Sequence, residues 1–244
     1  MKNWIALILF VPSLAMAAGS TVPLEDPKID LTDKESLQRG AQTFMNYCLG
    51  CHQMQYQRYQ RTFTDLDIPE ELGMQYLQFT GEKVSDYITT PMPAEDSATW
   101  FGAPPPDLTL VARVRGPEWL YTYLKTFYVD ESKTFGVNNL VFPNVGMPHV
   151  LEPLQGTPRL AYEQRLVDGE MVDRYVGLKS DGNGRLSDEE YDVVLRDLVN
   201  FLEYSGEPTR LQSESIGRAA LIFIVIFFVF ALLLKKEYWR NIKK

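Results

Sequence analysis

Between residues 31 and 48 the chain reads LTDKESLQRGAQTFMNYC, which sets Leu37, Ala41, Phe44 and Cys48 on one face of a helical period. Thr32 and Glu35 stand at capping-box spacing, so a helix is predicted to open there. PEELGMQYLQF, residues 69 to 79, predicts a second, shorter helix. Residues 80 to 109, with Pro91, Pro93 and then Pro104, Pro105 and Pro106, read as loop. Pro117 suits a first helical position, and Trp119, Leu120, Tyr123, Leu124 and Phe127 form the apolar stripe of the helix it starts. Residues 129 to 180 show no helical period and carry Gly136, Pro143, Gly146, Pro148, Pro153 and Pro158. The clearest helix follows. Ser187 and Glu190 form a capping box, Val194, Leu198, Phe201 and Leu202 form the stripe, and Gly206 with Pro208 ends it. The pattern predicts a mainly α domain with long loops, and such loops usually wrap something.

The two ends carry a different signal. MKNWIALILFVPSLAMA has a charged start, a short apolar run and small residues at its close, which predicts a secretory peptide cleaved after about residue 17. Ala219 to Leu234 is an unbroken run of sixteen apolar residues. Ile216 and Gly217 extend it toward the ~20 that span a bilayer, and Arg218 and Lys235 can snorkel outward. Tyr238 and Trp239 stand where an interfacial aromatic belt falls. The expected organisation is a signal peptide over 1–17, an exported domain over 18–210, an anchor over 216–234 and a basic tail over 235–244. Short basic flanks stay in the cytoplasm, which leaves the bulk of the chain in the periplasm of a bacterial inner membrane.

Charge sharpens this picture. The formal net charge is −8. Setting aside Lys2 and the tail's net +4 leaves −13 for residues 18 to 234. So acidic an exported domain disfavours nucleic acid and anionic lipid heads, and favours a basic protein that docks reversibly.

Both cysteines and one of the two histidines lie within YCLGCHQM, with Cys48, Cys51 and His52 at i, i+3 and i+4. A thioredoxin-like dithiol usually sits in a βαβ pattern, which is not visible here. A zinc site normally needs a second ligand pair, and no further Cys exists. The remaining reading is c-type haem attachment: both thiols bond to the haem vinyl groups and His52 ligates the iron. For the sixth position the candidates are Met147, in the stiff segment FPNVGMPHV, then His149 and Met92. A Met ligand favours reduced iron and suits an electron carrier.

At these residues the sequence resembles the cytochrome c1 family, the haem subunit of quinol–cytochrome c oxidoreductase (bc1) complexes. YCLGCHQMQYQRY resembles the family's attachment turn, APPPDLTLVARVRG its proline-rich element with two arginines, NVGMPHVL its ligand loop, and FLEYSGEP with an anchor and basic tail its C-terminus. The resemblance implies a class I cytochrome c-like haem domain with long loop insertions and one C-terminal transmembrane helix. It implies one haem c ligated by His52 and Met147. Arg115 would pair with a propionate, Tyr121 would lie near the haem, and a carbonyl of Pro105 or Pro106 would accept the other ring N–H of His52. Gly40 and Phe44 against Leu198 and Phe201 resemble the crossing of first and last helices. The implied partners are cytochrome b and the Rieske iron–sulfur protein in a dimeric complex, with a cytochrome c as acceptor and quinol chemistry left to cytochrome b. The rival expectations are a stand-alone anchored carrier and the haem subunit of another periplasmic oxidoreductase. SDGNGRLSDEEYD resembles a calcium loop, but Arg185 and Leu186 occupy positions where a ligand and a glycine belong, so a polar turn is expected.

Overall fold

The computed structural model describes residues 22–167 and 170–240. The predicted signal peptide lies outside these residues, as do the last four of the tail. The first helix, α1, spans Lys34–Tyr47. Its N-cap is Asp33, whose side chain accepts from Ser36 N at 2.9 Å. The expected capping pair of Thr32 and Glu35 does not form, because the Thr32 amide and hydroxyl both bond Asp30. A carboxylate also complements the helix N-terminus better than a hydroxyl does.

The chain then runs through β1 (Met54–Arg58), α2 (Tyr59–Asp65), α3 (Glu70–Tyr76) and β2 (Tyr87–Ile88), with β1 and β2 antiparallel. Residues 80 to 109 are more ordered than the loop expected there. Besides β2 they hold α4, Ala94–Phe101, which opens on Glu95 and Asp96 and stops at Gly102. Next come α5 (Val111–Arg115), α6 (Pro117–Lys125), β3 (Phe127–Val129), β4 (Val137–Asn139) and α7 (Glu152–Gln155). Pro117 is the first residue of α6, as its fixed φ favours.

Residues 129 to 180 also hold a long antiparallel ribbon, β5 (Arg159–Val167) with β6 (Glu170–Lys179). Its cross-strand pairs Tyr162↔Tyr175 and Leu166↔Met171 are exposed. Neither strand alternates apolar with polar residues along its length, so no strand period marks the ribbon in the sequence.

The core forms where α1 crosses α8, Asp188–Gly206. The Ser187–Glu190 capping box is present, and Leu195, Leu198, Phe201 and Leu202 are buried. Gly40 sets the closeness of the crossing: a Cβ there would stand 2.0 Å from the Asp197 carbonyl oxygen and 2.8 Å from Phe201 Cβ. Phe44 and Phe201 meet at 5.9 Å. A buried polar cluster fixes the register. Ser36 Oγ donates to Asp197 Oδ1 at 2.6 Å, Arg39 Nε to Asp197 Oδ2 at 2.6 Å, and Asn200 Nδ2 to Ser36 Oγ at 3.0 Å and to the Asp30 carbonyl at 2.8 Å.

The last helix, α9, runs over Arg210–Trp239 and buries none of its residues. Thirty residues at 1.5 Å each make it about 45 Å long. Its apolar window has a mean hydropathy of 2.8, so by length and composition it can cross a membrane. The helix starts earlier than the expected anchor and includes a polar first third.

Candidate functional site

The attachment motif lies at the end of α1. Cys48 caps the helix with its N–H on the Phe44 carbonyl, and Cys51 N and His52 N both return to the Cys48 carbonyl at 3.0 and 2.8 Å. This turn places all three side chains on the wall of one cavity of about 380 Å³, a size ordinary for a cofactor or ligand site. The rest of the lining is largely apolar and comes from separate parts of the chain. Pro104, Pro105, Pro106 and Leu108 form one side, α6 contributes Trp119 and Tyr123, α8 contributes Leu198 and Leu202, and the 142–150 loop contributes Phe142, Gly146 and Met147.

The histidine is oriented from behind. His52 Nδ1 lies 2.8 Å from the Pro106 carbonyl oxygen. With Nδ1–H donating there, Nε2 keeps its lone pair for another partner. The proline segment is itself tied to the motif. Leu108 N donates to the Gln53 carbonyl at 2.9 Å, and Asp107 takes the amides of Gln55 and Thr109 at 2.8 and 2.9 Å. Burial lowers the His52 pKa, against the opposing pull of the Pro106 carbonyl and Asp107, and so favours the neutral, ligating imidazole.

The thiols are tuned away from nucleophilic chemistry. Burial, with a lesser contribution from Cys51, pushes Cys48 up to about 12, and burial raises Cys51 too. A catalytic dithiol needs the opposite shift. Among the described residues no group of three or more His, Cys, Asp and Glu is placed to hold a bare metal ion. The donor set is thus two neutral thiols and an imidazole on one wall, a thioether on the loop that lines the same cavity, and apolar side chains between. Such a set fits a flat, largely apolar macrocycle whose metal takes one nitrogen and one sulfur ligand.

Of the three candidates for the sixth position, only Met147 lines the cavity. His149 is buried elsewhere: its ring stacks on Phe127 at 4.9 Å and its Nε2 lies 3.1 Å from the Gly156 carbonyl oxygen. Met92 is half-buried and is not part of the lining. Arg115 lines the cavity, with its guanidinium 4.9 Å from the Trp119 ring centre. Tyr121 departs from expectation. It is buried but does not line the cavity, and Lys125 Nζ lies 5.3 Å from its ring centre. Residues two apart on a helix face away from each other, and Tyr123, two residues on, lines the cavity instead.

Tyr123 was legible in the sequence only as a core position. Its hydroxyl lies 3.3 Å from Met147 Sδ, and burial raises its pKa well above the usual tyrosine value, so it is a neutral donor at neutral pH. Asn138 and Asn139 escaped the sequence reading altogether. Asn139 Oδ1 takes the amides of Val141 and Phe142, and its Nδ2 donates to the Tyr123 carbonyl at 2.7 Å. Asn138 Oδ1 takes the amides of Asn139 and Asn144. Asn139 ties the start of the Met147 loop to α6, and Asn138 ties residue 144 back to β4. An Asn pair in a Gly- and Pro-rich stretch is a turn signal that could have pointed to them. The calcium-like segment is also committed: Asp181 accepts from Thr157 N and Asn183 N.

The chain matches the Cytochrome C1 family model over residues 26–242. It is 49% identical to cytochrome c1 of Allochromatium vinosum across 96% of each chain. It is 42% identical to the ammonia monooxygenase gamma subunit of Nitrosomonas europaea, over 99% of this chain and 98% of that one. Cytochrome c1 of Rhodospirillum rubrum is 26% identical over 86% of this chain and 83% of its own. With the matched region running from the first described helix through the apolar C-terminal one, this chain belongs to the cytochrome c1 family.

Proposed function

We propose that the chain carries one covalently bound haem c and passes single electrons from a Rieske iron–sulfur protein to a cytochrome c within a quinol–cytochrome c oxidoreductase. Membership of the cytochrome c1 family supports a haem electron-transfer role in such a complex. The observation that carries the finer reading is the convergence of Cys48, Cys51, His52 and Met147 on one cavity.

In this reading Cys48 and Cys51 would hold the haem covalently, each through a thioether made by net addition of S–H to a vinyl group. The haem, once bound, supplies an iron that cycles between ferric and ferrous states. His52 and Met147 would ligate that iron, and the Pro106 carbonyl would keep His52 in one tautomer. Arg115, on the lining, is placed to pair with a propionate. The apolar remainder of the cavity excludes water and so limits solvent rearrangement during transfer. The helix α9 holds the domain at the membrane beside cytochrome b, with the bulk periplasmic and the basic end cytoplasmic. The acidic exported domain steers a basic acceptor, so the second-order rate of acceptor reduction falls several-fold as salt rises.

The test is expression of the full chain in a host able to attach haem c. The denatured polypeptide should keep its colour and gain the mass of one haem, and cytochrome b and Rieske subunits should co-purify from native membranes. A colourless product from that host overturns the haem assignment. The Nitrosomonas europaea relative is named as a subunit of a different oxidoreductase, which favours a second reading with the same haem and other partners. Co-purification without cytochrome b decides for it.

A further inference from the structure

The β5–β6 ribbon differs from the rest of the fold in what it leaves uncovered. Its base is held, where Val129 N donates to the Pro158 carbonyl at 2.9 Å. Beyond that bond, residues 162–166 and 171–176 are all exposed. The strands are 9 and 10 residues long, against about 5–6 in an ordinary sheet. A two-stranded ribbon bare on both faces is marginal in water, and its open edges invite a further strand.

The side chains it carries select that strand. Its register sets Tyr162 opposite Tyr175, Gln164 opposite Asp173 and Leu166 opposite Met171, so these six share one face. The other face carries Glu163 opposite Arg174, and Arg165 opposite Val172. We propose that the free edge of β5 is an interaction surface for a second copy of this chain, which adds the same edge antiparallel about a two-fold axis at Gln164.

About that axis Glu163 faces the partner's Arg165, and Tyr162 faces the partner's Leu166; each pair occurs twice. Across the four strands, one face then holds Arg174, Glu163 and the partner's Arg165 in a row of alternating sign. The opposite face holds Tyr175, Tyr162, the partner's Leu166 and the partner's Met171 in an unbroken apolar row. Opposite charges and aromatic–aliphatic pairs directly across strands stabilise a sheet, and opposed like charges destabilise it. Moving the axis by one residue sets Glu163 against itself or Arg165 against itself. On β6 the neighbours Asp173 and Arg174 cannot meet in this way, because opposed side chains share a face and adjacent residues do not. Charge also argues against the basic acceptor as occupant. Residues 159–179 carry four basic and four acidic side chains, within a domain of net charge −13, so the ribbon offers a cation little attraction. An edge of a few residues is a small interface, weak in free solution. Two copies held in one membrane by α9 meet at a high effective concentration, which compensates.

The test uses the full chain in the membranes of a host able to attach haem c. Gln164→Cys puts a thiol on the axis, where opposed Cβ atoms lie about 5 Å apart, close enough to bridge. Asp173→Cys puts the two thiols three strand spacings apart, about 14 Å, out of reach. Under mild oxidation Gln164→Cys should link into a dimer about tenfold more than Asp173→Cys, after subtracting the yield of the parent treated alike. Adding Arg165→Glu sets acid against Glu163 on both sides and should cut that yield about three- to tenfold. Far-UV dichroism of each purified variant reports that it is folded. No dimer from folded Gln164→Cys, equal yields from the two positions, or a yield insensitive to Arg165→Glu overturns the proposal. A thiol at position 164 that neither links nor reacts with a maleimide shows the edge covered by a different subunit, and overturns it as well.

Discussion

Replacing Gly40 with alanine sets two effects of opposite sign against each other. Alanine gains about 1 kcal/mol over glycine in a helix interior. At this position its Cβ would also stand 2.0 Å from the Asp197 carbonyl oxygen and 2.7 Å from its carbon, both rigid backbone atoms. Ordinary contact begins near 3.4 Å, so α1 and α8 must part by about 1.4 Å. The Ser36–Asp197 hydrogen bond, now 2.6 Å, does not survive such a shift. Overpacking costs about 1–3 kcal/mol, and a buried hydrogen bond left half-made costs about 1–3 more. The expected net loss is about 1–5 kcal/mol, or roughly 2–20 °C in Tm at about 2–4 °C per kcal/mol for a chain of this size. The consequence reaches the site, because α1 ends at Cys48 while α8 supplies Leu198 and Leu202 to the cavity wall. Thermal unfolding of the haem-loaded protein, followed by far-UV dichroism and by haem absorbance, measures both. A variant as stable as the parent, or more stable, shows that helix propensity alone governs the position and refutes the close-crossing argument.

Three further outcomes follow from particular contacts. Met147→Leu should lower the midpoint potential and let the reduced protein bind carbon monoxide, whereas His149→Gln should leave the visible spectrum unchanged, because that ring is engaged with Phe127 and Gly156. Absorbance titrations with carbon monoxide separate the two. Asn139→Ala removes three hydrogen bonds at the foot of the Met147 loop and should cost about 1–3 kcal/mol in chemical denaturation, with a weakened charge-transfer band. The Asp181 carboxyl is held below its usual range, first by the Asn183 amide and also by that of Thr157. A depressed folded pKa gives stability that is present above the ordinary aspartate value of about 4 and lost as pH falls through the folded value. Asp181→Asn should flatten that acid limb in a plot of Tm against pH.

The sequence made some of this legible because certain signals are local. The Ser187–Glu190 box, Pro117 at the start of α6 and the face of α1 depend on residues within a turn or two, and each lies where the pattern predicts. The cap of α1 moved by one residue because Asp30 competes for the Thr32 hydroxyl, a contest that spacing alone does not reveal. The β5–β6 ribbon has no such local signature, because neither of its strands alternates apolar with polar residues. The site divides in the same way. Cys48, Cys51 and His52 are neighbours in sequence, so their grouping is visible directly. Tyr123 and Met147 are 24 residues apart, and nothing in either segment names the other.

The two proposed iron ligands are braced by different means, and the difference follows from the chain that carries each. His52 closes a hydrogen-bonded turn just after a long helix, so its backbone is held and the ring remains to be oriented. One carbonyl from a segment of three prolines does this, and proline's locked φ keeps that segment stiff. Met147 lies in a loop outside any helix, and its unbranched side chain has several rotatable bonds. Its bracing is therefore distributed: Asn138 and Asn139 hold the backbone that leads to it, and Tyr123 holds the sulfur. A redox centre whose iron changes charge works best when neither ligand has to move. The loop, lacking regular structure of its own, reaches that rigidity through side-chain hydrogen bonds. Those bonds, rather than the attachment motif, are where single substitutions should shift the potential without displacing the haem.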